Sequence, residues 1–87
     1  MPVVYVPSLM RSLTGGQPRV EVPGRTVSEV IEELEKLHPG VRSRLIDGDR
    51  LNAGVSVAID GEISQLGLLQ SLDESSEVHF LPAIGGG

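Results

Sequence analysis

The segment from Thr26 to His38 constrains the fold most, because it carries a helical pattern with defined ends. Thr26 and Glu29 form a capping box, in which each side chain accepts a hydrogen bond from a backbone amide at the helix start. Apolar side chains then recur at helical spacing and give the helix one face to bury: Val27, Val30, Ile31, Leu34 and Leu37. Pro39-Gly40 ends the helix. Such a helix needs a second layer of structure over its apolar face.

Short segments of β-branched or alternating residues predict that second layer. The predicted strands comprise residues 3–7, 19–22, 55–59, 62–64 and 77–81. Gly15-Gly16 and Asp60-Gly61 mark turns. A short helical turn is expected at 41–46, a loop at 47–49, and either a loop or one helical turn at 66–72. The order β-β-α-β-β, followed by a last strand, predicts an α+β roll in which a sheet wraps over one long helix.

Composition indicates a small domain with an aliphatic core. The 87 residues are 39% hydrophobic, and the only aromatic residues are Tyr5 and Phe80. The absence of cysteine excludes disulfides, thiolate metal sites and a cysteine nucleophile. Apolar runs are too short to span a membrane, and the first residues lack the pattern of a signal peptide. We expect one folded domain over residues 1–82, in the cytoplasm, with no membrane contact.

The carboxyl end of the chain is its most distinctive feature for function. Five residues follow Pro82, and we expect them to form a flexible tail, 83–87, that would span roughly 17 Å if extended. Glycine has no Cβ, so Gly85, Gly86 and Gly87 fit a narrow slot in another protein. The terminal carboxylate is ionised at neutral pH and becomes electrophilic only after activation, for instance as an acyl adenylate. The alternative is an inert, frayed end.

The remaining polar residues do not predict a catalytic or metal site. His38 and His79 are distant in sequence and have no cysteine partners, which makes them a poor metal site. Three arginines at 42, 44 and 50 form a local basic group that we expect Asp47 and Asp49 to neutralise. Asp60 and Glu62 fit a turn and an exposed strand rather than a catalytic carboxylate pair. We therefore expect no catalytic residue and no bound metal.

Charge is divided unevenly along the chain. All seven Lys and Arg residues lie between positions 11 and 50, whereas five acidic residues and no Lys or Arg follow Arg50. The net charge of −5 is opposite to what nucleic acid binding requires. An acidic flank beside the tail would suit a partner with a basic rim. The alternative is that the acidic residues serve only solubility.

Several segments together resemble a known family. The tail Leu81-Pro82-Ala83-Ile84-Gly85-Gly86-Gly87 resembles that of the ubiquitin-like sulfur carriers, which end in Pro-Ala-apolar-X-Gly-Gly. The segments 6–11 and 14–17 and the helix start at Thr26-Val27 are also similar. The resemblance covers essentially the whole chain and implies the β-grasp fold, with a mixed sheet. Gly85 departs from the family pattern, because relatives often carry alanine or another small residue before the final pair.

The resemblance implies a carrier rather than an enzyme. A ubiquitin-activating-like adenylyltransferase would use ATP to adenylate Gly87, and a sulfur donor would convert the adenylate to a thiocarboxylate. The carrier would bind no cofactor itself. Its sulfur would pass to a synthase or a large subunit, with molybdopterin formation as the leading pathway and cysteine biosynthesis as the alternative. The carrier could also act as the small non-catalytic subunit of such a synthase.

The same resemblance assigns roles along the tail. Ile84, Gly85 and Gly86 would thread into the activating enzyme, and Leu81 and Ala83 would contact the partner.

Two other functions use the same residues differently. A ubiquitin-like modifier would join Gly87 to a lysine of another protein, and the only lysine of this chain is Lys36. A plain interaction domain would carry an inert tail.

Overall fold

The computed structural model describes residues 1–82. It contains seven strands, two α-helices and two 3-10 helices. The strands are β1 (Val3–Tyr5), β2 (Arg19–Glu21), β3 (Ile46–Asp47), β4 (Arg50–Leu51), β5 (Val55–Ile59), β6 (Glu62–Ile63) and β7 (Glu77–Pro82). The helices are α1 (Val27–Leu37) and α2 (Val41–Leu45), with 3-10 turns at Ser8–Thr14 and Gly67–Leu69.

Five strands form one mixed sheet in the order β2-β1-β7-β5-β6. The last strand, β7, lies in the centre, parallel to β1 and antiparallel to β5. Strands β3 and β4 form a separate hairpin. The α+β prediction is therefore confirmed, with a mixed sheet that packs on one long helix.

The hydrophobic core lies between one face of this sheet and α1. Alternate residues of the central strands point towards the helix, and Val4, Val57 and Val78 are almost completely buried. The buried face of α1 consists of Val27, Val30, Ile31 and Leu34. Burying one such side chain contributes about 1.5–3 kcal/mol relative to exposure. Since Phe80 is the only aromatic residue in the core, aliphatic packing holds the layers together, as the composition predicts.

The start of α1 matches the predicted cap with one difference. The Oγ1 atom of Thr26 accepts a hydrogen bond from the backbone N–H of Glu29 at 3.2 Å. The carboxylate of Glu29 accepts from the backbone N–H of Arg25 at 2.8 Å, one residue earlier than in a standard capping box. The prediction for Leu37 is wrong, because this side chain is 58% exposed. Leu37 is the last residue of the helix and lies at the edge of the apolar face.

Two elements were not predicted from the sequence. Residues 8–14 form a 3-10 helix that ends at the predicted Gly15-Gly16 turn. Buried Thr14 supports this turn, because its hydroxyl donates a hydrogen bond to the carbonyl oxygen of Gln17 at 2.9 Å. The expected helical turn at 41–46 exists as α2, but the following loop is the tip of the β3–β4 hairpin. Strand β1 ends at Tyr5 rather than at Pro7, which has no N–H to donate.

Gly24 makes a close contact that other residues could not make. A Cβ atom at this position would lie 2.7 Å from Val30 Cγ2 and 2.9 Å from the Val30 backbone nitrogen. Because that nitrogen belongs to the first turns of α1, Gly24→Ala must displace the helix start. We expect a loss of about 1–3 kcal/mol in the free energy of unfolding, measured by urea denaturation.

Gly48→Ala is the matched control for Gly24→Ala. Gly48 also has a positive φ, of 69°, but no atom lies within 4 Å of the Cβ position. Its substitution should cost only the backbone strain, about 1 kcal/mol. Equal losses in the two variants would show that the contact with Val30 is unimportant.

Candidate functional site

The candidate site is the end of β7, from which the carboxyl-terminal tail begins. β7 is held from both sides over its first half, because Glu77, Val78 and His79 lie opposite residues of β1. On its other side, β7 pairs with β5 from Val78 to Pro82. The tail therefore follows a central strand, and fraying of the edge strands does not detach β7 from the sheet.

Pro82 is the last residue of β7 and lies opposite Val55, the first residue of β5. Proline has no N–H to donate, and the pairing with β1 has already ended three strand positions earlier, so sheet pairing stops here. The predicted tail residues Ala83, Ile84, Gly85, Gly86 and Gly87 lie outside the described residues, and their roles stay predictions.

Leu81 lies on the sheet face that points away from α1. Its cross-strand partner is Ser56, and its side chain is 37% exposed. Ile63 of β6 is 59% exposed and shares a shallow depression with Leu81, Ser56 and Pro82. Alternation along β6 could have indicated Ile63, but a two-residue strand is too short for a clear pattern. The structure thus adds Ile63 to the predicted contact residue Leu81.

A second depression adjoins the first, since Leu81 and Pro82 line both of them. Pro7, Met10, Leu45, Val55 and Pro82 give it a mainly apolar lining, and Arg44 is the charged residue among those that line it. We call this the exit groove. It combines residues from four separate elements, which is why no local sequence pattern indicated it.

The acidic residues of the carboxyl-terminal half do not surround the tail. Glu77 begins β7, and Asp60 accepts a hydrogen bond from the backbone N–H of Glu77 at 2.8 Å. Asp73 and Glu74 precede β7, and Glu62 lies opposite Ile59, which pairs with Val78. Five strand steps separate Glu77 from Pro82, which is about 16 Å. The expected acidic flank beside the tail is wrong, since these residues lie at the opposite end of β7.

The predicted neutralisation of the basic group by Asp47 and Asp49 is wrong for Arg42, whereas Arg50 lies directly opposite Asp47 in the β3–β4 hairpin. Arg42 donates from Nε to the Glu32 carboxylate of α1 at 2.7 Å. This hydrogen bond raises the pKa of Arg42. Among residues 1–82, no ion pair within 4 Å joins Asp47 or Asp49 to an arginine. The group is divided by the fold, because α2 turns Arg42 towards α1 and leaves Arg44 at the exit groove.

Within the described residues, the two histidines do not contribute to a metal site. The imidazole of His79 stacks on the ring of Tyr5, with ring centroids 4.1 Å apart and an interplanar angle of 2°. Across the described part of the chain, no cluster of three or more His, Cys, Asp or Glu residues could hold a metal ion. Neither helix within residues 1–82 has the length and hydropathy needed to cross a bilayer.

The comparisons with known proteins agree over the full length. The family model described as "ThiS family" matches residues 4–87. A curated relative, "Sulfur carrier protein CysO" of Mycobacterium tuberculosis, is 33% identical over 97% of this chain and 96% of its own length.

Two solved structures share the fold. One chain in the crystal structure of the Amycolatopsis orientalis BexX/CysO complex is 31% identical, with all of both chains covered and a TM-score of 0.92. The crystal structure of Mycobacterium tuberculosis CysO is 30% identical, covers 97% of this chain and 100% of its own, and gives a TM-score of 0.89. The predicted β-grasp fold is thereby confirmed.

Leu81→Asp should weaken partner binding without unfolding the domain. The new carboxylate would lie on an exposed sheet face, so the urea midpoint should change little, whereas an apolar contact in an interface would be lost. We expect the Kd for the predicted activating enzyme to rise roughly fivefold or more. The control is Leu69→Asp, since Leu69 is 77% exposed and lies in the 3-10 turn that contacts α1. A similar rise in both variants would contradict a specific role of Leu81.

Proposed function

The chain belongs to the ThiS family, and on this premise we propose that it carries sulfur as a thiocarboxylate on Gly87. The chain is a sulfur carrier and not an enzyme. The observation that carries the proposal is the full-length similarity to sulfur carriers, in a chain whose central strand leads directly to a terminal triglycine.

The chemistry at Gly87 proceeds in two steps. A carboxylate oxygen of Gly87 attacks the α-phosphorus of ATP, and pyrophosphate leaves with its electron pair. Sulfide then attacks the acyl carbon of the adenylate, AMP leaves, and Gly87 ends in a thiocarboxylate. A persulfide donor would instead give an acyl disulfide, which a thiol must reduce. ATP and the sulfur donor belong to the activating enzyme, and the carrier supplies the acyl group and the surface that is recognised.

The sulfur acceptor that we propose is an activated serine derivative, in cysteine biosynthesis. The sequence placed molybdopterin first and cysteine second, and the similarity to the CysO proteins favours the second. Displacement at the serine β-carbon by the thiocarboxylate sulfur would form the new carbon–sulfur bond as the leaving group departs, and would leave the amino acid joined to Gly87 as a thioester. Hydrolysis of the acyl–sulfur bond would then release cysteine and restore the Gly87 carboxylate.

We propose two partners for the carrier. One is the adenylyltransferase, which must reach Gly87, and the other is the enzyme that receives the sulfur. The BexX/CysO complex supports the general idea that a protein of this fold binds a second protein. Because adenylation consumes ATP, we place the cycle in the cytoplasm.

Intact-mass measurement tests the carrier chemistry. After incubation with ATP, sulfide and the activating enzyme of the same organism, the protein should gain roughly 16 Da, as one acyl oxygen is replaced by sulfur. Deletion of Gly87 should abolish the gain and leave the urea midpoint unchanged, because the tail follows the last strand. A full gain in the deletion variant would disprove the role of Gly87.

Consumption of the thiocarboxylate tests the acceptor. The loaded carrier is mixed either with an activated serine derivative and its sulfur-accepting enzyme, or with a pterin precursor and the corresponding synthase. Rapid disappearance of the thiocarboxylate mass only in the first mixture is expected, either to the heavier thioester adduct or back to the carboxylate. Rapid loss only in the second would return molybdopterin to first place.

The modifier alternative stays a prediction, and one observation bears on self-conjugation. The Nζ atom of Lys36 donates a hydrogen bond to the Glu33 carboxylate at 2.9 Å, which raises the pKa of Lys36. Conjugates on Lys36 or on other proteins would be found by searching extracts for lysines that carry the carboxyl-terminal segment of this chain, residues 51–87 after cleavage at Arg50.

A further inference from the structure

Charge along the central strand is segregated into two ends. The five acidic residues that follow Arg50 lie at the amino end of β7 or in the segments beside it. The opposite end, where the tail begins, carries Arg44 in the lining of the exit groove. A chain with a net charge of −5 therefore presents a basic group where its reactive terminus emerges.

Arg11 adds a second cation at the same end. Its Nε atom donates to the carbonyl oxygen of Val6 at 3.2 Å, which orients the guanidinium along the segment that follows β1. Tyr5 lies opposite His79 in the parallel β1–β7 pair, so Val6 is level with Phe80. Arg11 and Arg44 are both exposed, and neither takes part in an ion pair within residues 1–82.

The exit groove is mainly apolar, with Arg44 in its lining, and Arg11 directly follows Met10, another of its lining residues. Met10, Leu45 and Val55 contribute to its lining, and no acidic side chain belongs to that lining. Exposed apolar surface with a charged rim is typical of a protein contact. The starting point of the tail limits which protein can cover the groove. An enzyme that reacts with Gly87 must approach within roughly 17 Å of Pro82, which itself lines the groove.

We infer that the exit groove, with Arg44 in its lining and Arg11 next to the lining residue Met10, docks on an acidic, partly apolar surface of the activating enzyme, beside the entrance that receives the tail. This inference rests on the proposed function and specifies the partner surface: apolar side chains flanked by carboxylates. Arg44 and Arg11 pair with those carboxylates, and guanidinium groups suit this role because they bind carboxylates in a bidentate geometry.

The acidic end of the domain reinforces the same docking geometry. An acidic enzyme surface attracts the exit groove and repels the end that carries Asp60 and Glu77. The wrong orientation would also leave the tail about 16 Å further from the enzyme, by the length of β7. Charge segregation thus selects the approach in which Gly87 leads.

Charge reversal at matched positions tests the inference. Arg44→Glu and Arg25→Glu change the net charge equally, but Arg25 lies in a depression with Glu74 at the acidic end. The Kd for the purified activating enzyme is measured by calorimetry without ATP, and the KM and kcat for the carrier by pyrophosphate release. We expect about a tenfold rise in Kd and KM for Arg44→Glu with kcat unchanged, and less than a twofold change for Arg25→Glu.

Additional variants and outcomes separate this inference from the proposed function. Arg44→Lys should keep most of the affinity. Adding Arg11→Glu to Arg44→Glu should weaken binding further. If Arg44→Glu fails to fold, Arg44→Gln takes its place. An Arg44→Glu affinity within twofold of the original, or an equal loss in Arg25→Glu, overturns the inference. Binding without a gain of mass would defeat the proposed function alone, and no binding by the original protein would defeat both.

Discussion

The central position of β7 is the constraint on which the other features depend. Its hydrogen bonds join β1 on one side and β5 on the other, and its apolar side chains Val78 and Phe80 pack towards α1. A terminal strand in this position can be released only by breaking the core. The carboxyl terminus can therefore be bound by another protein without loss of the fold, because the free energy of folding resides in residues that precede it.

The parallel pairing of β1 with β7 determines what surrounds the tail. Parallel strands end at the same side of a sheet, so the residues after β1 and the residues after β7 emerge together. Pro7, Met10 and Arg11 come to the tail in this way, although more than 70 positions separate them from Pro82 in the sequence. An antiparallel pairing would instead have placed the residues that precede β1 beside the tail, and would have moved Pro7, Met10 and Arg11 to the acidic end of β7.

The sequence predicted the features that local patterns determine and missed those that depend on topology. The helix at 27–37 and the strand at 55–59 follow from periodicity and caps, and both were expected within two residues. The 3-10 helix at Ser8–Thr14 and the two-residue strands β3 and β4 are too short for a periodic signal. The charge around the tail was inverted for a different reason. The acidic residues nearest to the tail in sequence are distant from it in space, because the extended strand β7, six residues long, separates them.

The division of roles within the chain follows from these constraints. Glycine without side chains gives a terminus that many active sites could accept, so Gly87 by itself cannot select a partner. Selection must come from side chains held in fixed positions near the tail's starting point. The sheet holds Leu81 and Ile63 in that way, and α2 holds Arg44 in the lining of the groove that Leu81 shares. Partner specificity and reactivity are thus separated by only five residues of chain.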